Sequence, residues 1–196
     1  MSSRRRPSVA FTLLEVLLVV IVVGILAGIL LPNMQPAAYD QLRSAAHIVG
    51  NDLAYARSLA VANNDKYKIT FDLDANRYAM KHSGTNAALK QLPKSPFLSR
   101  SGSGDEHVVA LGDLPHAGTV IRLAAVATTG ATTQSVADVE FGPLGQTTRA
   151  DPTTIWLAAG SDSQRKYMTL VVNPVTGMAD IGPYTNVGPA GITHIP

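Results

Sequence analysis

Cysteine is absent from this chain of 196 residues. Its absence excludes disulfides, thiolate metal ligands and cysteine nucleophiles, although it does not identify the redox compartment. The sequence also lacks a G-x-S-x-G nucleophile elbow and a P-loop lysine. Its histidines are dispersed, with no metal-ligand spacing between them; they are His47, His82, His107, His116 and His194. We therefore predict no metal centre, no cofactor and no enzymatic activity.

Charged residues are also scarce, at 15% of the chain, whereas hydrophobic residues make up 46%. This balance permits a sizeable core and is not that of a disordered chain. Three basic residues, Arg4–Arg6, precede a long apolar run that contains Glu15. Without these four, thirteen of the sixteen basic and thirteen of the fourteen acidic residues remain. The net charge of +2 therefore belongs to the N-terminal segment and does not indicate a basic domain.

The stretch from Phe11 to Leu31 is almost entirely apolar. As a helix it is about 31 Å long at about 1.5 Å per residue, which matches the hydrocarbon thickness of a bilayer. Glu15 opposes insertion by about 2.5–3.5 kcal/mol at most, which is less than the summed gain from the aliphatic side chains. We predict a membrane-spanning helix over residues 11–31. Arg4–Arg6 then stay cytoplasmic, and the following domain lies on the far side of the membrane.

Two plainer interpretations of the run stay open. A secretory signal peptide would be removed whole, but the run is longer than the usual apolar region of about 7–15 residues, and no A-x-A-like site follows it. An uncleaved signal anchor fits the length and the basic flank. It gives Glu15 no role.

The residues around Glu15 favour a third interpretation. A short basic leader ends in the small residue Ala10 and is followed by the phrase FTLLE and the apolar run. This arrangement resembles the prepilin signal of type IV pilins and type II secretion pseudopilins. The resemblance implies that residues 1–10 are a leader, that a prepilin peptidase cuts between Ala10 and Phe11, and that Phe11 is then N-methylated. The family usually has glycine where this chain has Ala10, which leaves the efficiency of cleavage open.

The same resemblance gives Glu15 a role, as the fifth residue of the mature chain. When subunits pack into a filament, its carboxylate can neutralise the N-terminal amine of a neighbour. Pairing lowers the cost of the two desolvated charges and fixes the register between subunits. Gly24 and Gly28 form a G-x-x-x-G pattern in the same run, which permits close packing of helices.

The rest of the chain predicts a helix and then a β-rich head. Apolar residues recur every three or four positions from Leu42 to Ala60, so we predict an amphipathic helix over 32–64 that continues the stalk. Its phrase LRSAAHIVGNDLAYARSLAVANN resembles the start of the GspH/FimT subfamily, and VEFGPLGQTT and LVVNPVTGMADIG resemble the last strands of that domain. The resemblance implies an α+β, pilin-like fold, with a long helix, transmembrane then amphipathic, packed on an antiparallel sheet.

The predicted head spans residues 65–182. It begins with a hairpin in which Tyr67, Ile69 and Phe71 alternate with polar residues and DANR forms the turn. Residues 83–106 are predicted as a mobile loop and residues 183–196 as an irregular tail. The remaining predicted strands are His107–Leu111, Thr119–Ala127, Ser135–Phe141, Thr153–Ala159, Tyr167–Asn173 and Met178–Ile181.

The predicted function is that of a structural minor pilin or pseudopilin in a type II secretion pseudopilus or a type IV pilus. The expected partners are the prepilin peptidase, other subunits and the inner membrane, with the N-terminus cytoplasmic and the head periplasmic until assembly. The alternative is a minor pilin that binds DNA for uptake, which requires clustered cations. Lys66, Lys68, Arg77 and Lys81 are the candidates, but no Lys or Arg follows Lys166.

Overall fold

The computed structural model describes residues 12–30, 38–93, 104–114, 121–130, 132–160 and 165–190, with only the backbone described for 27–30. The chain divides into two compact units, Met1–Pro36 and Ala37–Pro196. The first contains one described helix, and the second contains a helix and two sheets.

Helix α1 of the first unit spans Leu13–Leu30. Every side chain described in it is exposed, and all but one of those from Leu13 to Leu26 are apolar or glycine. The predicted membrane span of residues 11–31 extends beyond the described residues at both ends. Among the residues that the structure describes, no helix has both the length and the hydropathy needed to cross a membrane.

Helix α2 of the second unit spans Ala38–Asn63 and ends where the sequence indicated. Asn64 adopts the left-handed conformation, with φ of 48°, and the Asp65 N–H donates to the Ala60 carbonyl at 3.2 Å, as at many helix C-termini. The predicted apolar stripe is confirmed, since all seven of its residues are buried: Leu42, Ala45, Ala46, Val49, Leu53, Ala56 and Ala60. The predicted continuity with the membrane helix depends on residues 31–37, which lie outside the described residues.

The first sheet consists of strands β1 (Tyr67–Asp72), β2 (Arg77–His82), β3 (Glu106–Ala110) and β6 (Asp138–Phe141). It is antiparallel and has the strand order β3-β2-β1-β6. The predicted hairpin is confirmed as β1 and β2, with Tyr67 opposite His82 and Asp72 opposite Arg77. The alternating residues Tyr67, Ile69 and Phe71 are buried.

The second sheet consists of strands β4 (Arg122–Thr129), β5 (Thr133–Ser135), β7 (Thr153–Ala159), β8 (Lys166–Val172) and β9 (Ala179–Thr185). It is also antiparallel and has the strand order β5-β4-β7-β8-β9. The bounds of β7 agree with the prediction, and those of β3 and β8 differ by one residue.

Helix α2 packs against strands of both sheets, namely β1 and β6 of the first and β7, β8 and β9 of the second. One hydrophobic core results, with Leu53 of the helix, Phe141 of the first sheet and Leu157 of the second all fully buried in it. The expected α+β class, a long helix on antiparallel sheet, is thus confirmed.

The prediction of one strand over Ser135–Phe141 is wrong, because the chain changes sheets within it. The Val136 N–H donates to the Val126 carbonyl of β4 at 3.0 Å, whereas the Ala137 carbonyl accepts from Phe71 of β1 at 2.7 Å. Two consecutive residues therefore bond to different sheets, and the segment forms β5 and β6.

The predicted end of the head at residue 182 also needs correction. Strand β9 continues to Thr185, through Gly182 and Pro183, by a register shift opposite Thr169. Proline is tolerated there because β9 lies at the edge of its sheet and the missing N–H breaks no ladder bond. The tail beyond residue 190 lies outside the described residues.

The predicted loop over residues 83–106 contains a 3-10 turn, Ala87–Leu89, which begins where the Asn86 side chain accepts a bond from the Ala88 N–H at 3.1 Å. Glu106, at the end of the predicted loop, begins strand β3 instead. Residues 94–103 of the predicted loop lie outside the described part of the chain, and its mobility stays a prediction.

Candidate assembly site

Glu15 lies in the first turn of α1. Its side chain is exposed and makes no hydrogen bond or ion pair with any described residue. The predicted cleavage residues, Ala10 and Phe11, lie outside the described residues. Glu15 is therefore a solvated carboxylate on an otherwise apolar helix surface, available to a group from another molecule.

Thr12 is a residue of this site that the sequence reasoning missed. Its hydroxyl oxygen accepts a hydrogen bond from the Glu15 N–H at 3.2 Å, and its carbonyl accepts from the Val16 N–H at 3.2 Å. Thr12 is thus the N-cap of α1, and Glu15 occupies the third helical position, where a capping box has glutamate or glutamine. The T-x-x-E spacing was the signal that could have revealed it. Glu15 therefore has a position suited to capping as well as to charge pairing.

The surface of α1 is apolar on all sides. Exposed fractions run from 46% at Val22 to 85% at Leu13, with no buried face. A helix of this kind is normally covered by lipid or by other helices, because exposure of contiguous aliphatic side chains to water is unfavourable. The space beside Gly24 is unoccupied, since a Cβ added there would meet no atom within 4 Å. The surroundings of Gly28 lie outside the described residues, so the G-x-x-x-G packing stays a prediction.

The basic residues of the first hairpin do not form a free cationic patch. Three of the four candidates lie beside a carboxylate, in the pairs Lys68–Asp138 (3.8 Å), Arg77–Asp72 (3.1 Å) and Lys81–Glu106 (3.6 Å). Lys66 is exposed. Surface pairs contribute little stability, but each offsets the positive potential that would attract a phosphate.

A partly buried polar contact joins α2 to the first sheet. The Tyr78 hydroxyl donates to the Asp52 carboxylate at 2.5 Å. Burial raises the pKa of Asp52, whereas the hydrogen bond from Tyr78 lowers it in part. Burial and the neighbouring carboxylate also raise the pKa of Tyr78 well above its usual value. The contact orients the helix on the sheet and has no ligand-binding geometry of its own.

Two turns, over residues 142–146 and 173–178, meet at Arg57 of α2. Arg57 Nε donates to the Gly145 carbonyl at 3.3 Å, and the Thr147 N–H donates to the Pro174 carbonyl at 2.9 Å, which ties one turn to the other. Gly177 has φ of 64°, and a Cβ there would lie 1.9 Å from the Gly145 oxygen. The turns are thus close-packed structural features.

Among the described residues no group of three or more His, Asp or Glu side chains is placed to hold a metal ion.

No protein-family model and no curated protein matches the chain. Among solved structures it is similar to the minor pseudopilin EpsH from the type II secretion system of Vibrio cholerae, with a TM-score of 0.50 and 10% identity, over 72% of this chain and 95% of that one. The chain shares the fold of that protein. The type IV minor pilin FimU of Pseudomonas aeruginosa PAO1 is also similar, with a TM-score of 0.45 and 18% identity, over 74% of this chain and 90% of that one.

Proposed function

We propose that this chain is a minor structural subunit of a type II secretion pseudopilus or a type IV pilus-like filament. The observation that carries the proposal is the surface of α1, which is aliphatic on every side, exposed along its described length and marked by one carboxylate in its first turn. A helix of this kind suits two environments in succession, a bilayer and a bundle of neighbouring helices. The pseudopilin-like fold is consistent with the same role.

In this proposal residues 11–31 anchor the chain in the inner membrane, with Arg4–Arg6 cytoplasmic and the head periplasmic. Prepilin peptidase removes residues 1–10 and the amine of Phe11 is methylated. During assembly the helix leaves the membrane for the filament core, and Glu15 of one subunit pairs with the amine of another. The pairing removes the cost of two isolated charges in an apolar environment.

The alternative function, DNA binding by the head, is not favoured by the described residues. Three of the four cations on the first hairpin already lie beside carboxylates, and the chain from residue 167 onward contains no Lys or Arg. Binding to the phosphate backbone depends on several unneutralised cations acting together.

Processing is tested by mass spectrometry of the full-length protein expressed in a host that has a prepilin peptidase. We expect a mature chain that begins with N-methylated Phe11. The variant Ala10→Gly, which restores the residue usual in the family, should be processed at least as completely. An intact N-terminus, or cleavage after residue 31, would contradict the proposal. Assembly is tested separately by immunoblotting filaments sheared from cells, where the wild-type chain is expected beside the other subunits.

A further inference from the structure

A cleft of about 250 Å³ lies between the N-terminal half of α2 and the edge strand β9. Tyr39, Arg43 and His47 line it from the helix, and Pro183 and Tyr184 line it from the strand. Gly182 also lines the cleft, at the register shift of β9. A Cβ there would lie 2.2 Å from the Thr169 hydroxyl oxygen, so a larger residue would displace the Thr169 side chain.

The side chain of Arg43 is exposed, and its guanidinium contacts one aromatic residue, Tyr39. Its Nη1 donates to the Tyr39 hydroxyl at 3.1 Å, and its central carbon lies 5.9 Å from the centroid of the Tyr39 ring. Tyr39 in turn packs edge-on against Tyr184, with the ring centroids 5.5 Å apart. Arginine held in this way loses less conformational entropy when it binds an anion, and its remaining N–H groups form a fork that fits a carboxylate.

No carboxylate in the described part of the chain pairs with this arginine. Arg43 forms no ion pair with any described residue, and the cleft lining contains no Asp or Glu. His47 follows Arg43 by four residues, on the same side of the helix, and its ring offers a further N–H donor. Met168 and Ile181 add apolar lining. The cleft therefore combines one oriented cation with an apolar wall that methylene groups can cover.

We propose that this cleft binds the carboxylate of a glutamate or aspartate side chain presented by a neighbouring subunit, and that the contact positions the heads beside one another. This inference rests on the proposed filament function. The cleft is smaller than the usual ligand pocket of about 300–1,000 Å³, and it accommodates one side chain rather than a cofactor. A nucleic acid is disfavoured, because phosphate-backbone binding uses several cations and β9 supplies none. Pairing of a partner strand with β9 is hindered by Pro183, so side chains carry the contact.

The binding step is tested by NMR on the full chain in detergent micelles. The probes are the peptides acetyl-Ala-Glu-Ala-amide and acetyl-Ala-Gln-Ala-amide. We expect saturable shifts at Tyr39, His47 and Tyr184 with the glutamate peptide and an affinity at least about tenfold weaker for the glutamine peptide. Arg43→Gln should abolish this preference. Arg122→Gln, at an exposed arginine on β4, should leave it unchanged. Equal shifts from both peptides, or tighter binding of inorganic phosphate or oligo-dT, would overturn the assignment.

The docking step is tested in cells with Arg43→Glu and Arg43→Lys. We expect Arg43→Glu to be processed normally but depleted from sheared filaments by about tenfold, and Arg43→Lys to recover part of the loss because it retains the charge. Normal incorporation of Arg43→Glu would overturn the docking role. The two proposals fail differently. If the wild-type protein never enters filaments, the filament function is wrong. If the wild-type protein enters filaments and Arg43→Glu enters them equally well, only the proposed role of the cleft is refuted.

Discussion

Asn76 bonds through its side chain to the backbone on both sides of Arg122, and so ties the tip of the β1–β2 hairpin to the second sheet. Its Oδ1 accepts from the Leu123 N–H at 2.9 Å, and its Nδ2 donates to the Ile121 carbonyl at 2.7 Å. Asn76 also adopts φ of 50°, a left-handed conformation that asparagine tolerates better than most residues. One turn residue therefore joins two sheets that share no strand.

Replacing Asn76 should destabilise the head substantially. Asn76→Ala removes both hydrogen bonds, at about 1 kcal/mol each, and puts alanine in a strained conformation that costs about 1 kcal/mol more, so we expect a loss of about 2–4 kcal/mol. Asn76→Gly retains the conformation and should lose less. Urea unfolding followed by the fluorescence of Trp156, the single tryptophan, measures both.

Asn64 provides the matched control for this prediction. It has nearly the same φ, 48°, but its side chain makes no hydrogen bond with the described residues. Asn64→Ala should therefore cost only the strain, about 1 kcal/mol. Equal losses at the two positions would show that the bonds from Asn76 do not contribute.

The free energy of unfolding should depend on pH because of Asp52. Burial raises its folded-state pKa above the ordinary value of 3.8, so the folded chain binds this proton more tightly than the unfolded chain. The resulting stability is fully present below pH 3.8 and is lost as the pH rises through the folded-state pKa. Asp52→Asn should remove that loss, so its stability relative to the wild type should increase from pH 3.8 upward.

Tyr78→Phe tests the same contact from the other side. The hydrogen bond from Tyr78 lowers the pKa of Asp52, so its removal should raise that pKa further and widen the pH range over which stability falls. Urea titrations of the three proteins between about pH 3.5 and 7 provide the comparison. A difference in unfolding free energy between wild type and Asp52→Asn that does not vary with pH would contradict the prediction.

The local pattern predicted much of the head because burial there follows the period of one element at a time. The stripe from Leu42 to Ala60 and the alternation at Tyr67, Ile69 and Phe71 are of this kind. The exchange of sheets at Val136 and Ala137 has no such signal, since only the hydrogen-bond partners differ between these neighbours.

The same limit applies to the candidate sites. Glu15 was predicted as an assembly residue from a local motif, and the T-x-x-E spacing could have indicated Thr12 as its helix cap. The cleft beside Arg43 depends on Tyr184, which lies far along the chain and reaches Tyr39 only through the fold. Contacts of that kind are fixed by tertiary packing and leave no periodic pattern in the sequence.

Gly177 should tolerate no side chain. Gly177→Ala combines a left-handed φ with a Cβ placed 1.9 Å from the Gly145 oxygen, so we expect a loss of about 2–4 kcal/mol and displacement of the two turns around Arg57. Gly112→Ala is the control, because a Cβ there meets no atom within 4 Å, and it should change stability by less than about 0.5 kcal/mol. Thermal unfolding distinguishes them. Similar melting temperatures for both variants would refute the close contact.

The head should show no salt-sensitive binding to nucleic acid. The paired cations Lys68, Arg77 and Lys81 leave little net positive potential on the first hairpin. Gel shifts with duplex and single-stranded DNA at low and moderate salt provide the measurement. Binding that weakens steeply with salt and is lost in Lys66→Gln would instead favour the DNA-uptake alternative.

Thr12→Ala and Glu15→Gln separate helix capping from charge pairing. Glu15→Gln retains a side chain suited to a capping box but removes the charge, whereas Thr12→Ala removes the cap, at about 0.5–2 kcal/mol, and keeps the charge. We expect both variants to be processed, Glu15→Gln to be depleted from sheared filaments by about tenfold, and Thr12→Ala to remain within about twofold of wild type. Immunoblots of the filament fraction against the membrane fraction give the ratios. Equal depletion of both variants would mean that Glu15 acts through the start of the helix, and the pairing mechanism would then be wrong.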